Sequence, residues 1–159
     1  MTNESTLCLL IRGSRILLGM KKEHFGEGKW NGFGGKRKRT DRTIKAAAKR
    51  ELEEESGVVV NEEYLERVAQ IKFFEEEMLI FDCAVFIVRQ WRGNPRETKE
   101  MRPQWFDLDA VPYDRMWTGD RLWWPIILEG LKISGVVRFK KGMKEVESFD
   151  YDDLAAGTK

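Results

Sequence analysis

At 159 residues, with 42% hydrophobic and 35% charged side chains, the chain has the size and balance of one soluble globular domain with its own core. A net charge of +1 excludes a global field that would recruit nucleic acid or an acidic membrane surface. One histidine, His24, and two cysteines, Cys8 and Cys83, exclude an imidazole- or thiolate-rich metal centre. Carboxylate oxygens are left as ligands, and these suit hard cations such as magnesium.

The first five residues lack the basic and then apolar pattern of a signal peptide, and no apolar run is long enough to span a bilayer. The expectation is a cytoplasmic protein with reduced thiols, a single domain over 1–159, a monomer, and no membrane or stable nucleic-acid partner.

In chain order, Thr6–Ile11 and Arg15–Leu18 are β-rich runs separated by Gly13-Ser14, which reads as a hairpin. The segment Gly26 to Gly35 is too glycine-rich for a regular element and suits backbone that turns tightly or approaches a ligand. Four basic residues, Lys36 to Arg39, follow; they could steer a polyphosphate but do not by themselves define a nucleic-acid groove. Thr43 to Ser56 reads as a helix closed by Gly57. Val58–Val60 reads as the start of a strand. Further strands are expected at Leu65–Phe74, Met78–Val88, Pro103–Phe106 and Val136–Phe139, and Glu145–Tyr151 reads as a last strand or an extended tail piece. A second helix is expected over Leu122–Leu131, with Pro125 in its first turn. Strands with two helices and no repeat or linker give an α/β or α+β sandwich.

The first helix carries an anomaly. At about 100° per residue, with Glu51 at zero, Glu54 falls near 300° and Glu55 near 40°, while Ile44, Ala47 and Ala48 fall near 20°, 320° and 60°. The three carboxylates thus extend the apolar line that packs on the sheet, whereas Glu53, near 200°, faces solvent. Such a cluster works against the helix: like charges at i,i+4 cost about 0.2–0.5 kcal/mol per pair. Acids also oppose the dipole at a helix C-terminus, and burial raises their pKa values. A divalent cation relieves all three. Arg50, near 260° on the same wheel at about 100° per residue, could brace the carboxylates or meet a phosphate.

The segment Arg50-Glu51-Leu52-Glu53-Glu54-Glu55-Ser56-Gly57-Val58, behind Gly34-Gly35, resembles the signature of the Nudix family, hydrolases of nucleoside diphosphates linked to another group. The resemblance implies a Nudix-type α/β/α sandwich with a mixed β-sheet. It implies magnesium, with manganese as a substitute, metal or catalytic roles for Glu51, Glu54 and Glu55, and a bracing role for Arg50. Gly35 is the opening glycine of the signature, placed at the metal and phosphate end. The front half departs from the pattern. Gly35 to Arg50 is one residue too long, so the expected glutamate coincides with Arg42, and Asp41 is the nearest acidic neighbour.

Other segments resemble the branch of the family that hydrolyses oxidised purine nucleoside triphosphates to the monophosphate and pyrophosphate: Gly19–Lys22, Trp30–Lys36, Glu100–Pro103, Asp107-Leu108, Trp117, Asp120, Trp123 and Pro125. That resemblance implies a base pocket read by Asn31 and Asp120, stacked by Trp117 and walled by Phe25, Phe73 and Phe81, the phenylalanines serving equally as plain core. Lys21 and Gly34 fall on the phosphate side, and Glu100 becomes an additional metal carboxylate. Lys21 as a surface lysine and Glu100 as a solvated loop residue stay open. The branch has two adjacent aspartates where this chain has Gly119-Asp120, which implies altered breadth with oxidised guanine favoured. A broader purine pyrophosphohydrolase and a noncatalytic nucleotide-binding module are the competing readings.

Overall fold

The computed structural model describes residues 3–154; residues 1–2 and 155–159 of the expected domain lie outside the described residues. Strand β1 (Glu4–Arg12) and strand β2 (Arg15–Lys21) form the expected hairpin, paired from Leu10↔Leu17 to Arg12↔Arg15. Beyond Leu10 the two strands part. Into the gap comes the glycine-rich segment, where Phe33 exchanges backbone hydrogen bonds with Cys8 at 2.6 and 3.0 Å and Gly35 C=O accepts from Thr6 N–H at 2.9 Å. The density of glycines does not wholly exclude regular structure: Trp30–Asn31 forms a two-residue strand, β3, on β2.

Helix α1 spans Ile44–Ser56. Thr43 caps it by accepting from Ala46 N–H, and Gly57 ends it in the left-handed region at φ 77. Val58–Val60 does not start a strand. Val59 makes one isolated bridge to Arg92, while Val58 and Val60 turn into the core. Strands β4 (Leu65–Glu75) and β5 (Met78–Val88) form a long antiparallel pair. Strand β6 (Met101–Asp107) covers the free edge of β2. Helix α2 (Asp120–Leu128) begins and ends earlier than its sequence suggests, so Pro125 sits in its second turn. The missing N–H leaves only the carbonyl of exposed Arg121 without its helical donor, and water can serve it. Strands β7 (Ile133–Phe139) and β8 (Val146–Asp153) complete the sheet.

The sheet runs β3-β2-β1-β5-β4-β7-β8, with parallel pairs β1–β5 and β4–β7 among antiparallel ones. It is the mixed sheet expected, in the α+β class. Alternation along β1 divides the core. Leu7, Leu9 and Ile11 pack with Trp123, Trp124 and Ile127 of α2. Cys8 and Leu10 pack with Ala48 and Leu52 of α1 on the other face. Leu52 is fully buried, so its truncation to alanine should cost about 2–5 kcal/mol.

Candidate active site

The site lies where β1 and β2 part. A cavity of about 510 Å³ opens there, floored by Leu7 and Cys83. It is walled by Phe73, Phe81, Trp117 and Trp123 and reaches Glu55, Lys21, Gly34 and Gly35 at its mouth. Asn31 and Asp120 both line it, so the structure gathers the expected base-reading and phosphate-side residues around one space.

Two glycines make the approach of loop and helix possible. A Cβ on Gly34 would overlap the Thr6 carbonyl, and one on Gly35 would overlap the Glu51 carboxylate. Gly34 N–H donates to Glu55 Oε1 at 2.9 Å. Glu55 is buried, and burial pushes its carboxyl up to about 8 against the pull of Gly34 N–H and Lys21. Lys21 Nζ lies 3.5 Å from Glu55 Oε2 and 3.6 Å from Glu100 Oε2, so it is no idle surface lysine, and Glu100 is drawn into the cluster through it. Burial, then the neighbouring Glu54, lifts Glu51 to about 7.

The helix phase needs one correction. The buried residues of α1 are Ala47, Ala48, Leu52, Glu55 and Ser56, an arc from about 320° to about 140° on the wheel. Glu55 is buried inside it, Glu51 is half-buried inside it, and Glu54, about 20° beyond Ala47, is exposed. Leu52 and Ser56, left out of the alignment of the carboxylates with Ala47 and Ala48, extend the buried arc on the side away from Glu54.

Arg50 braces this end. It donates to Glu54 Oε1 at 2.8 Å, Glu51 Oε1 at 3.2 Å and Lys36 C=O at 3.3 Å. Its Nε and Nη2 also donate to the two oxygens of Asp41 at 2.9 and 2.8 Å. Asp41 is buried, and this fork holds its carboxyl down to about 2. Asp41, not Arg42, is therefore the acidic partner at the front of the signature. It lies six positions after Gly35, and the extra residue falls between it and the helix, where Arg42 is exposed.

Among the described residues, no three acidic side chains converge on one point as a ready metal cage. Arg50 and Lys21 instead hold the carboxylates apart in ion pairs. The donor set still fits a hard divalent cation. It is all oxygen, two of its acids are pushed up by burial, and Gly35 C=O keeps a second lone pair beyond the one Thr6 uses.

In the base half, Asn31 Oδ1 accepts from Gly32 N–H at 2.8 Å, which leaves its amide NH₂ to donate into the cavity. Asp120 is buried and its Oδ2 has no hydrogen-bond partner. Burial pushes its carboxyl up to about 8, opposed by Trp123, the Trp117 backbone and the charge of Lys29. Trp123 Nε1 leans toward this carboxyl without completing a good hydrogen bond. Phe25 stacks on Trp117 at 4.9 Å and meets Phe81 edge-on at 5.8 Å, closing the mouth from outside. Phe73 does both jobs left open for it: it packs on Trp123 and Phe139 and lines the cavity. At Gly119 an added Cβ would lie 3.0 Å from Val137, so the position is closed to a side chain unless Val137 moves.

Sequence reasoning missed Thr6 and Lys29, and it named Lys36 only within a basic run that could steer a polyphosphate. Thr6 Oγ1 is buried, unpartnered and on the cavity wall. A threonine in a leucine-rich strand carries no signal of this; only the strand's alternation, with Leu7 and Leu9 facing α2, could have prompted a question. Lys29 sits 5.1 Å over Trp117, and Lys36 lines the mouth beside Phe81.

Known proteins bear on this arrangement. The family model for the NUDIX domain matches residues 1–125, and the chain belongs to the Nudix family. Nudix hydrolases generally use divalent metals such as magnesium or manganese. The chain is 47% identical over 136 residues to an oxidized purine nucleoside triphosphate hydrolase of Danio rerio, covering 85% of each. It is 42% identical over 152 residues to one of Mus musculus, covering 91% of this chain and 96% of that one. The fold matches a MutT protein from Bacillus halodurans with a TM-score of 0.80 at 22% identity, over 94% of this chain and 97% of that one. No helix among the described residues is long and apolar enough to cross a membrane.

Proposed function

We propose that this chain hydrolyses oxidised purine (deoxy)nucleoside triphosphates, with 8-oxo-dGTP the favoured type, to the monophosphate and pyrophosphate, using magnesium. One domain over 1–159 carries the activity, acting as a cytoplasmic monomer. The observation that carries this reading is the buried Asp120 carboxyl, with an unpartnered oxygen, on the wall of an aromatic cavity that also reaches Glu55 of the Nudix signature. The names of the two curated relatives support the substrate class.

A neutral carboxyl offers a donor and an acceptor side by side, which matches the adjacent carbonyl and ring N–H of an oxopurine. Asn31 supplies a second donor through its amide, and Trp117 supplies the stacking surface. Stacking tolerates many bases, so the polar pair must discriminate. With Gly119 beside it, Asp120 reads the base without a second acid, so breadth is narrowed toward oxidised guanine. Equal cleavage of oxidised adenine and oxidised guanine triphosphates would refute that narrowing.

At the phosphate end, Glu51, Glu54, Glu55 and Glu100, with the Gly35 carbonyl, would hold the metal. When bound, a divalent cation lowers the pKa of water and offsets charge on phosphate oxygens. The protein's own part is separable. Glu55, its Oε1 held by Gly34 N–H, is placed to take a proton from attacking water on Oε2. Lys21 faces the same oxygen and is placed to meet phosphate charge. The bare backbone of Gly34 and Gly35 admits the phosphates, and Arg50 with Asp41 fixes the helix against the loop.

The test is a competitive panel of oxidised and ordinary purine triphosphates with magnesium. Preferential consumption of the oxidised guanine nucleotide supports the reading. Equal consumption of ordinary purines favours the broader pyrophosphohydrolase, and tight binding without turnover favours a noncatalytic module.

A further inference from the structure

The segment from Lys36 to Arg50 holds eight basic residues and one acidic residue, a local charge of +7. The rest of a chain whose total is +1 therefore carries −6. The structure sorts these cations. Arg50 is spent on Asp41, Glu51 and Glu54. Arg37 is spent on Glu4 and on the Asp41 and Arg42 carbonyls. Lys38, Arg39 and Arg42 are exposed and close no ion pair or side-chain hydrogen bond among the described residues; half-buried Lys45 and Lys49 behind them close none either. Asp41, already paired with Arg50, attracts Lys38, and no ion pair among the described residues offsets the rest of this charge.

This surplus is held rigidly beside the catalytic glutamates. Lys38 N–H donates to Asp41 Oδ2 at 2.8 Å, Asp41 grips Arg50, and Arg50 reaches the Lys36 carbonyl and Glu51. Hydrogen bonds thus connect the cavity mouth at Gly35 and Lys36, through Arg50, to Asp41 and the basic loop. The positive end of α1 opens on the same loop, and its first turn carries no acidic residue.

We propose that Lys38, Arg39 and Arg42 bind the distal phosphates of the nucleotide, beyond the bond that is broken, so that the enzyme favours longer phosphate chains: tetraphosphate over triphosphate over diphosphate. This rests on the substrate reading above, in which the base occupies the Asp120 cavity. An ordinary triphosphate already meets Lys21, Lys36 and the metal carboxylates at its near end. The three exposed cations lie outside the cavity lining but are tied to it through Asp41, Arg50 and Lys36, so the ligand they fit is an anionic chain running out of the cavity. The same site retains pyrophosphate after hydrolysis, which makes free pyrophosphate a product inhibitor.

The test compares wild type with the triple variant K38A/R39A/R42A and with the charge-preserving K38R/R39K/R42K. Inorganic tripolyphosphate binding is measured by calorimetry with magnesium, and kcat/KM is measured for the di-, tri- and tetraphosphates of one oxidised guanine nucleoside. Three exposed charges, each worth about two- to threefold, should weaken tripolyphosphate binding about tenfold in the alanine variant. The tetraphosphate-to-diphosphate ratio of kcat/KM should fall by about the same factor, and both effects should shrink in high salt as the screening length drops below about 8 Å. The charge-preserving variant should restore both. Unchanged tripolyphosphate binding in a folded alanine variant, or an equal loss for all chain lengths, would overturn the proposal. If no nucleotide is hydrolysed while tripolyphosphate binding still depends on the loop, the substrate reading fails and the anion site stands.

Discussion

Replacing Asp120 with asparagine gives the sharpest test of the base pocket. Burial holds the wild-type carboxyl neutral up to about pH 8. Below that pH it can both donate and accept; above it the group only accepts and carries an uncompensated buried charge. Losing the donor and stranding its partner costs about 1–3 kcal/mol, or roughly 5- to 150-fold in binding. Relative to Asp120→Asn, wild-type kcat/KM on the oxidised guanine nucleotide should therefore fall above pH 8 by up to about tenfold per unit. Asp120→Asn keeps a donor and an acceptor and does not titrate, so this high-pH limb should vanish. Asp120→Ala loses both groups and should lose more activity than the asparagine variant at every pH. Stability gives an independent readout. A carboxyl whose folded pKa is raised is stabilising below its unfolded value, near 3.8, and that contribution is lost as pH rises toward about 8. In denaturant unfolding, Asp120→Asn should therefore gain on wild type by about 1.4 kcal/mol per pH unit through this window. A high-pH limb that persists unchanged in Asp120→Asn, with no relative gain in stability, would refute the assignment of a neutral Asp120.

Three further outcomes follow from the phosphate end. Glu55→Gln should abolish most turnover and keep the fold, since its amide oxygen can still accept from Gly34 N–H; turnover and thermal unfolding measured together check this. Gly35→Ala should lower kcat about 100-fold, because a methyl group there collides with the Glu51 carboxylate, and near-normal kcat would contradict the close approach. Arg50→Lys cannot reproduce the fork to Asp41, and leaving that buried carboxylate poorly paired should cost about 3 kcal/mol in urea unfolding at pH 7.

The local signals in the chain were strong where one residue type decides a backbone state. Thr43 and Gly57 bound α1 as expected because a cap and a left-handed glycine act within a turn. The hairpin at Gly13-Ser14 was legible for the same reason, and β4 and β5 were legible as strands though their pairing was not called. What escaped depends on contacts distant in sequence. The exposure of Glu54 was missed because it lies at the edge of the buried arc, about 20° beyond Ala47, where the wheel alone does not decide burial. Asp41 was seen as a neighbour, but its grip on Arg50 depends on how the 36–42 loop folds back, which spacing alone leaves open. Thr6 became a site residue only because β1 and β2 part around Phe33.

The central claim is that Asp120 and the signature glutamates act on one substrate, an oxidised purine triphosphate. It is tested most directly by turnover of 8-oxo-dGTP against dGTP in ¹⁸O-water with magnesium, with products identified by mass. The account predicts a clear preference for 8-oxo-dGTP, monophosphate and pyrophosphate as products, and solvent oxygen in one of them. Release of orthophosphate, or equal rates on the two nucleotides, would contradict it.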